Sequence, residues 1–119
     1  MRTTTPTVWE DVHTGTARVD GGPRLDTPAW FAWLAAPTTR SFAFPVDNPT
    51  KGYIEGFMTV RKEPRQRGQL YWTAYWRVGG RLHKVYLGPA AAVTHARLRA
   101  ISATWLAQLL AAAPEAIGS

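Results

Sequence analysis

Hydrophobic and polar positions change their spacing several times along the chain, and each change marks an element. Residues 1–24 show no sustained period; Thr, Gly and Pro dominate and Gly21-Gly22-Pro23 closes the stretch. The pattern predicts an extended N-terminal arm over 1–24, anchored at most by Val8-Trp9. Asp26-Thr27-Pro28 then reads as a helix start, with Thr27 as N-cap and Pro28 at the first helical position. Trp30, Trp33 and Leu34 follow at i, i+3, i+4 and give a short helix one aromatic face, which Pro37 stops. Ser41-Phe42-Ala43-Phe44 alternates as a short strand that Pro45 ends, and Asp47 to Gly52 is turn chemistry.

Beyond Gly52 the period becomes two. Phe57 to Lys62 reads as a strand, Pro64 to Gly68 as a basic turn, and Leu70 to Val78 as a strand rich in aromatic and β-branched residues. Gly79-Gly80 supplies a two-residue hairpin turn, and Arg81 to Leu87 returns as a further strand before Gly88-Pro89. Thr94 then caps a helix from His95 to about Ala113, where Leu98, Ile101, Trp105 and Leu109 form a buried stripe widened by Leu106 and Leu110. The expected fold is α+β: a three-stranded antiparallel sheet packed on a long C-terminal helix, with a short N-terminal helix and an extended arm. One domain spans 25–113, followed by a tail at 114–119.

The hairpin fixes a register. With Gly79 and Gly80 in the loop, Val78 faces Arg81, and one sheet face carries Trp72 opposite Leu87, Ala74 opposite Val85 and Trp76 opposite His83. Met58 and Val60 complete that face, which seats the C-terminal helix. The other face gathers Thr59, Arg61, Thr73, Tyr75, Arg77, Lys84 and Tyr86, polar, basic and aromatic, with too few aliphatic residues for a second core. Trp30, Trp33, Trp72, Trp76 and Trp105 all fall on core faces; Trp9 does not.

Charge changes the picture more than composition does. The 119 residues carry 14 Lys and Arg against 8 Asp and Glu, a formal net charge of +6. Residues 57–99 alone hold nine of those bases against Glu63, whereas residues 1–56 hold five bases and six acids. A concentrated basic segment interleaved with aromatics points to an anionic partner. The absence of cysteine excludes disulfide scaffolds, thiol catalysis and the common zinc sites. His13, His83 and His95 lack ligand spacing, so neither a metal nor a cofactor is expected. Glu10-Asp11 and His13 form a candidate acid–base group, but on an arm unsuited to hold reacting groups. No nucleophile elbow or phosphate loop is present. The chain opens without a secretory signal, and its most apolar run, Ala100 to Ala113, is shorter than the roughly 20 residues a membrane-spanning helix needs. A non-enzymatic, cytoplasmic protein is expected, with no membrane partner.

The segment Tyr71-Trp72-Thr73-Ala74-Tyr75-Trp76-Arg77, the Gly79-Gly80 turn, Arg81-Leu82-His83-Lys84-Val85-Tyr86-Leu87-Gly88 and the helix from His95 resemble the AP2-like DNA-binding domain. That domain forms the arm-binding module of phage and transposon integrases and lays its sheet in the major groove. Thr59-Val60-Arg61-Lys62-Glu63, Tyr71-Trp72-Thr73-Ala74-Tyr75 and Lys84-Val85-Tyr86-Leu87-Gly88 also look like uncharacterised segments of bacterial mobile-element and regulatory proteins. The resemblance spans roughly residues 26–106. It implies binding without strand cleavage, because His95-Ala96-Arg97-Leu98 departs from the His-x-x-Arg of tyrosine recombinases and no catalytic half follows.

The expected function is sequence-specific or semi-specific binding of double-stranded DNA by a nucleoid-associated accessory or regulatory factor of a mobile element. Arg61, Arg77 and Lys84 would read the groove while Lys62, Arg65 and Arg67 hold phosphates, with Thr59, Thr73, Tyr75 and Tyr86 completing the surface. The alternative is a protein-interaction module, of the phage-type inhibitor kind, that docks its basic face on an acidic protein. Single-stranded nucleic acid, and assembly as a homodimer or larger nucleoprotein complex, stay open.

Overall fold

A computed structural model describes residues 5–11, 13–64, 68–78 and 80–112. Strands β1 (Val8–Asp11) and β2 (Thr16–Val19) precede helix α1 (Pro28–Ala35). Strands β3 (Ser41–Asn48), β4 (Tyr53–Pro64), β5 (Leu70–Val78) and β6 (Arg81–Gly88) follow, then a 3-10 turn at Ala90–Ala92 and helix α2 (His95–Ala112). β1 and β2 pair with each other, and β3-β4-β5-β6 form a four-stranded antiparallel meander in chain order.

The α+β character holds, but the expected three-stranded sheet with an extended arm does not. Pro45 fails to end its strand because β3 lies at the sheet edge, where a missing N–H costs no ladder bond. β3 therefore runs on to Asn48, with Pro45 opposite Phe57. The arm is also structured. Val8 faces Val19 and Glu10 faces Ala17 across a hairpin whose turn includes Gly15 at φ +72°. Val8, Ala17 and Val19 are buried in the same core as the main sheet. Thr7 bridges Ala43 in parallel, and the Ala43 N–H donates to the Pro6 carbonyl at 2.8 Å, which ties the hairpin to the β3 edge.

The β5–β6 register follows the hairpin prediction from Val78–Arg81 to Thr73–Tyr86. A bulge then sets Trp72 opposite Gly88 instead of Leu87, and Gly88 takes φ +113°, a conformation that side-chain-bearing residues rarely adopt. Gly79, the first loop residue, lies outside the described residues, as does the 114–119 tail.

One sheet face contributes Phe42, Phe44, Val46, Met58, Val60, Trp72 and Ala74 to the core. Trp30 and Leu34 of α1 and Leu98, Ile101 and Trp105 of α2 pack against it. α2 rests chiefly on β3, the strand whose length the sequence understated. Thr27 caps α1 by accepting the Trp30 N–H, and Thr94 Oγ1 accepts the Arg97 N–H at the start of α2. Rings of Trp30, Phe42 and Trp72 meet in series at 5.4 and 5.5 Å, and the Trp30 indole N–H donates to the Val93 carbonyl at 2.8 Å. Among the described residues no helix is long and apolar enough to cross a membrane.

Candidate nucleic-acid interface

With α1 and α2 packed on one side of the main sheet, the opposite side of β4–β6 faces solvent. Successive strand residues alternate sides, so the ladder places the outward residues in rows. Thr59, Tyr75 and Lys84 stand side by side in one row, Arg61, Thr73 and Tyr86 in the next, and Arg77 beside Leu82 on the far side of the first. Tyr75 is thus the centre of the surface, with Lys84 directly across, Arg61 diagonal to it and Arg77 two residues along. Thr59, Arg61, Arg77, Lys84 and Tyr86 are exposed, whereas Tyr75 is half-buried and Thr73 is buried beneath its neighbours.

Local contacts hold several of these groups. The Arg61 guanidinium lies over the Tyr75 ring at 5.9 Å from its centroid, and the Tyr75 hydroxyl donates to Glu63 Oε2. That hydrogen bond, with lesser contributions from burial and the Glu63 charge, raises the tyrosine above its ordinary pKa. Arg77 Nη1 donates to the Gly80 carbonyl at 3.3 Å, keeping its head near the hairpin tip. Tyr71 and Tyr86 pack ring to ring at 5.5 Å.

Lys62 is separated from this group. It points to the inner side of β4, where its Nζ donates to the Ala36 carbonyl at 2.9 Å and lies 5.5 Å from the centroid of the Trp72 ring. Burial, and then the Arg40 charge, depress its pKa. Its structural role is to tie β4 to the end of α1. Arg65 and Arg67 lie outside the described residues. Arg97, on α2, donates to the Tyr86 carbonyl at the β6 edge.

A second polar assembly escaped the sequence reading. Glu10 of β1 accepts from His95 Nε2 at 2.7 Å and from Arg99 Nη1 at 3.0 and 3.1 Å, and Arg99 Nη1 is 3.8 Å from Asp47 Oδ2. Burial would raise the Glu10 pKa, but the hydrogen bond from His95, one that the Asp47 carboxyl donates while it is protonated, and the Arg99 guanidinium outweigh it and hold Glu10 below the ordinary value. Burial and the neighbouring Glu10 push Asp47 up, only partly offset by Arg99. Neither Asp11 nor His13 joins this assembly; Asp11 Oδ1 accepts the His13 backbone N–H within the β1–β2 turn. Partners 85 and 89 positions apart leave no local signal.

Beside these groups lies a cavity of about 500 Å³ between β1, the β3–β4 hairpin and α2, walled by Trp9, Pro45, Tyr53, Ile54 and Leu106. Among the described residues no cluster of three or more His, Asp or Glu has the arrangement of a metal site. The surface therefore offers chemistry of two kinds: an open cationic sheet face, and a concave pocket edged by two carboxylates and the Arg99 guanidinium. No protein-family model, curated protein or solved structure matches the chain.

Proposed function

We propose that the protein binds double-stranded DNA through the outer face of β4–β6, laid in the major groove. The observation that carries this reading is the exposure of Arg61, Arg77 and Lys84 on one face around Tyr75, while both helices pack on the other. Three strands span two inter-strand spacings, about 10 Å, and the major groove is about 12 Å wide. The fourth strand, β3, adds only Ser41, Ala43 and Pro45 along its corresponding positions, and the bulky pair on that side, Phe57 opposite Pro45 with Trp9 at 5.7 Å from it, would stand at the groove rim. Arg61, Arg77 and Lys84 would contact guanine edges or phosphates, with Arg65 and Arg67 supplying further phosphate contacts from the β4–β5 connection.

This docking is the mode of the AP2-like modules that β5 and β6 resemble, and the reading includes their context: an accessory or regulatory factor of a mobile element, acting at the nucleoid and leaving strand cleavage to another protein. Fluorescence anisotropy with a random-sequence duplex at several salt concentrations tests it. Binding should weaken steeply with salt, and the double variant Arg77→Ala/Lys84→Ala should lose it while keeping its circular dichroism. Salt-insensitive binding, or unchanged affinity in the double variant, refutes the reading. Tighter binding to a single strand would redirect it to unpaired bases, and no nucleic-acid binding at all would favour an acidic protein partner.

A further inference from the structure

The pocket between β1, the β3–β4 hairpin and α2 shares none of the basic residues of the DNA-facing surface and calls for a different ligand. Its volume, about 500 Å³, falls within the range of small-molecule sites, roughly 300–1,000 Å³. Trp9 and Tyr53 are 46% and 52% exposed, and both line the pocket with Ile54 and Leu106. Glu10 and Asp47 line it too, with the Arg99 guanidinium, also part of the lining, between them. Glu10 is saturated by His95 and Arg99, so the Asp47 charge is the less compensated of the two.

A β-bulge lies beside it: the β3–β4 register passes from Val46 opposite Gly56 to Asp47 opposite Ile54, so Glu55 is the extra residue and β4 is the strand that bends. The pocket's electrostatics then select among ligands. An anion would meet the Glu10 and Asp47 carboxylates beside an Arg99 guanidinium whose two short hydrogen bonds already go to Glu10. A neutral apolar molecule would strip water from Asp47 and return no hydrogen bond. A cation offsets the Asp47 charge, which Arg99 approaches only to 3.8 Å, and exposed Trp and Tyr faces attract it further.

We propose that this pocket binds a small organic ammonium, with its N–H donors on Asp47 and its apolar or aromatic body against Trp9, Tyr53 and Leu106. The site is independent of the DNA reading, and either can fail without the other.

Phenethylamine is the probe, with phenylacetate and 2-phenylethanol as charge-reversed and neutral analogues. Titration by calorimetry, and by the indole N–H resonance of Trp9 in 15N-labelled protein, should show the amine binding at least tenfold more tightly than either analogue. Asp47→Asn should weaken the amine at least tenfold and Tyr53→Ala several-fold, with thermal melts verifying the fold of each variant. Phenylacetate binding as tightly as the amine, no amine binding to the wild-type chain, or full affinity in Asp47→Asn would each overturn the proposal. Should Asp47→Asn not fold, the three-ligand charge series on the wild-type chain and Tyr53→Ala still decide it.

Discussion

Arg61 and Lys62 are consecutive, carry the same charge and face opposite sides of β4, so replacing each by Ala separates binding from stability. Lys62 gives up a hydrogen bond from its ammonium to the Ala36 carbonyl at 2.9 Å and a position 5.5 Å from the Trp72 ring centroid. A partly buried charge-assisted hydrogen bond with a cation–π contact, discounted for its solvent exposure, amounts to about 1–2 kcal/mol. For a chain of this size that lowers Tm by about 4–8 °C. Arg61 is exposed and its contact with Tyr75 is a surface one, so Arg61→Ala should change stability by less than about 0.5 kcal/mol.

On DNA the order reverses. Each phosphate neutralised contributes about −0.9 to the slope of log K against log salt, so three outer-face cations give about −3 and five, with the loop arginines, closer to −5. Arg61→Ala should make the slope shallower by about 0.9 and weaken binding about eightfold at 0.1 M salt. Lys62→Ala should leave the slope unchanged. Denaturant melts and anisotropy titrations at four salt concentrations measure both effects. A Lys62→Ala protein of wild-type stability with a shallower slope would refute the assignment of faces on β4.

Three further outcomes are expected. Glu10 is held below its ordinary pKa, so its ionised form stabilises the fold above pH 4.5 and that contribution is lost as pH falls through the folded value. Glu10→Gln should therefore lower Tm at neutral pH and converge on wild type in acid. Asp47 is raised instead, so its contribution is present below pH 3.8 and lost as pH rises through the folded value. Asp47→Asn should gain on wild type between acid and neutral pH, and parallel melts from acid to neutral pH should show these opposite trends. Trp30→Phe removes the indole N–H that satisfies the Val93 carbonyl in the core, and denaturation should register a loss of about 1–3 kcal/mol. Gly56→Ala would bring a Cβ to 2.8 Å from Trp76 Cη2, and the displaced indole should appear as a changed tryptophan emission spectrum together with a lower Tm.

The local code was legible wherever local chemistry decides structure. The Thr27-Pro28 start, the Thr94 cap and the β5–β6 pairing all depend on residues a few positions apart, and the sequence places them correctly. It misleads at Pro45, because whether proline ends a strand depends on which side of that strand is paired, a tertiary fact. It misleads over residues 1–24 because Val8 and Val19 find their apolar surroundings in the main sheet, which the arm's own composition does not announce. The outer-face residues Arg61, Arg77 and Lys84 follow from alternation alone, and the same alternation, carried one residue further, sends Lys62 inward. The Glu10, His95 and Arg99 assembly spans the whole chain and had no periodicity to reveal it.

The two margins of the main sheet differ in their exposure to self-association. Along β3, Pro45 offers no donor and Pro6 and Thr7 occupy the positions beside Ala43, so an incoming strand from another molecule finds the template already used. β6 is guarded more lightly, by Lys84 in the middle of the strand and by Arg97 reaching the Tyr86 carbonyl. Neutralising those two cations together should therefore promote edge-to-edge aggregation at high concentration, long before the core is disturbed.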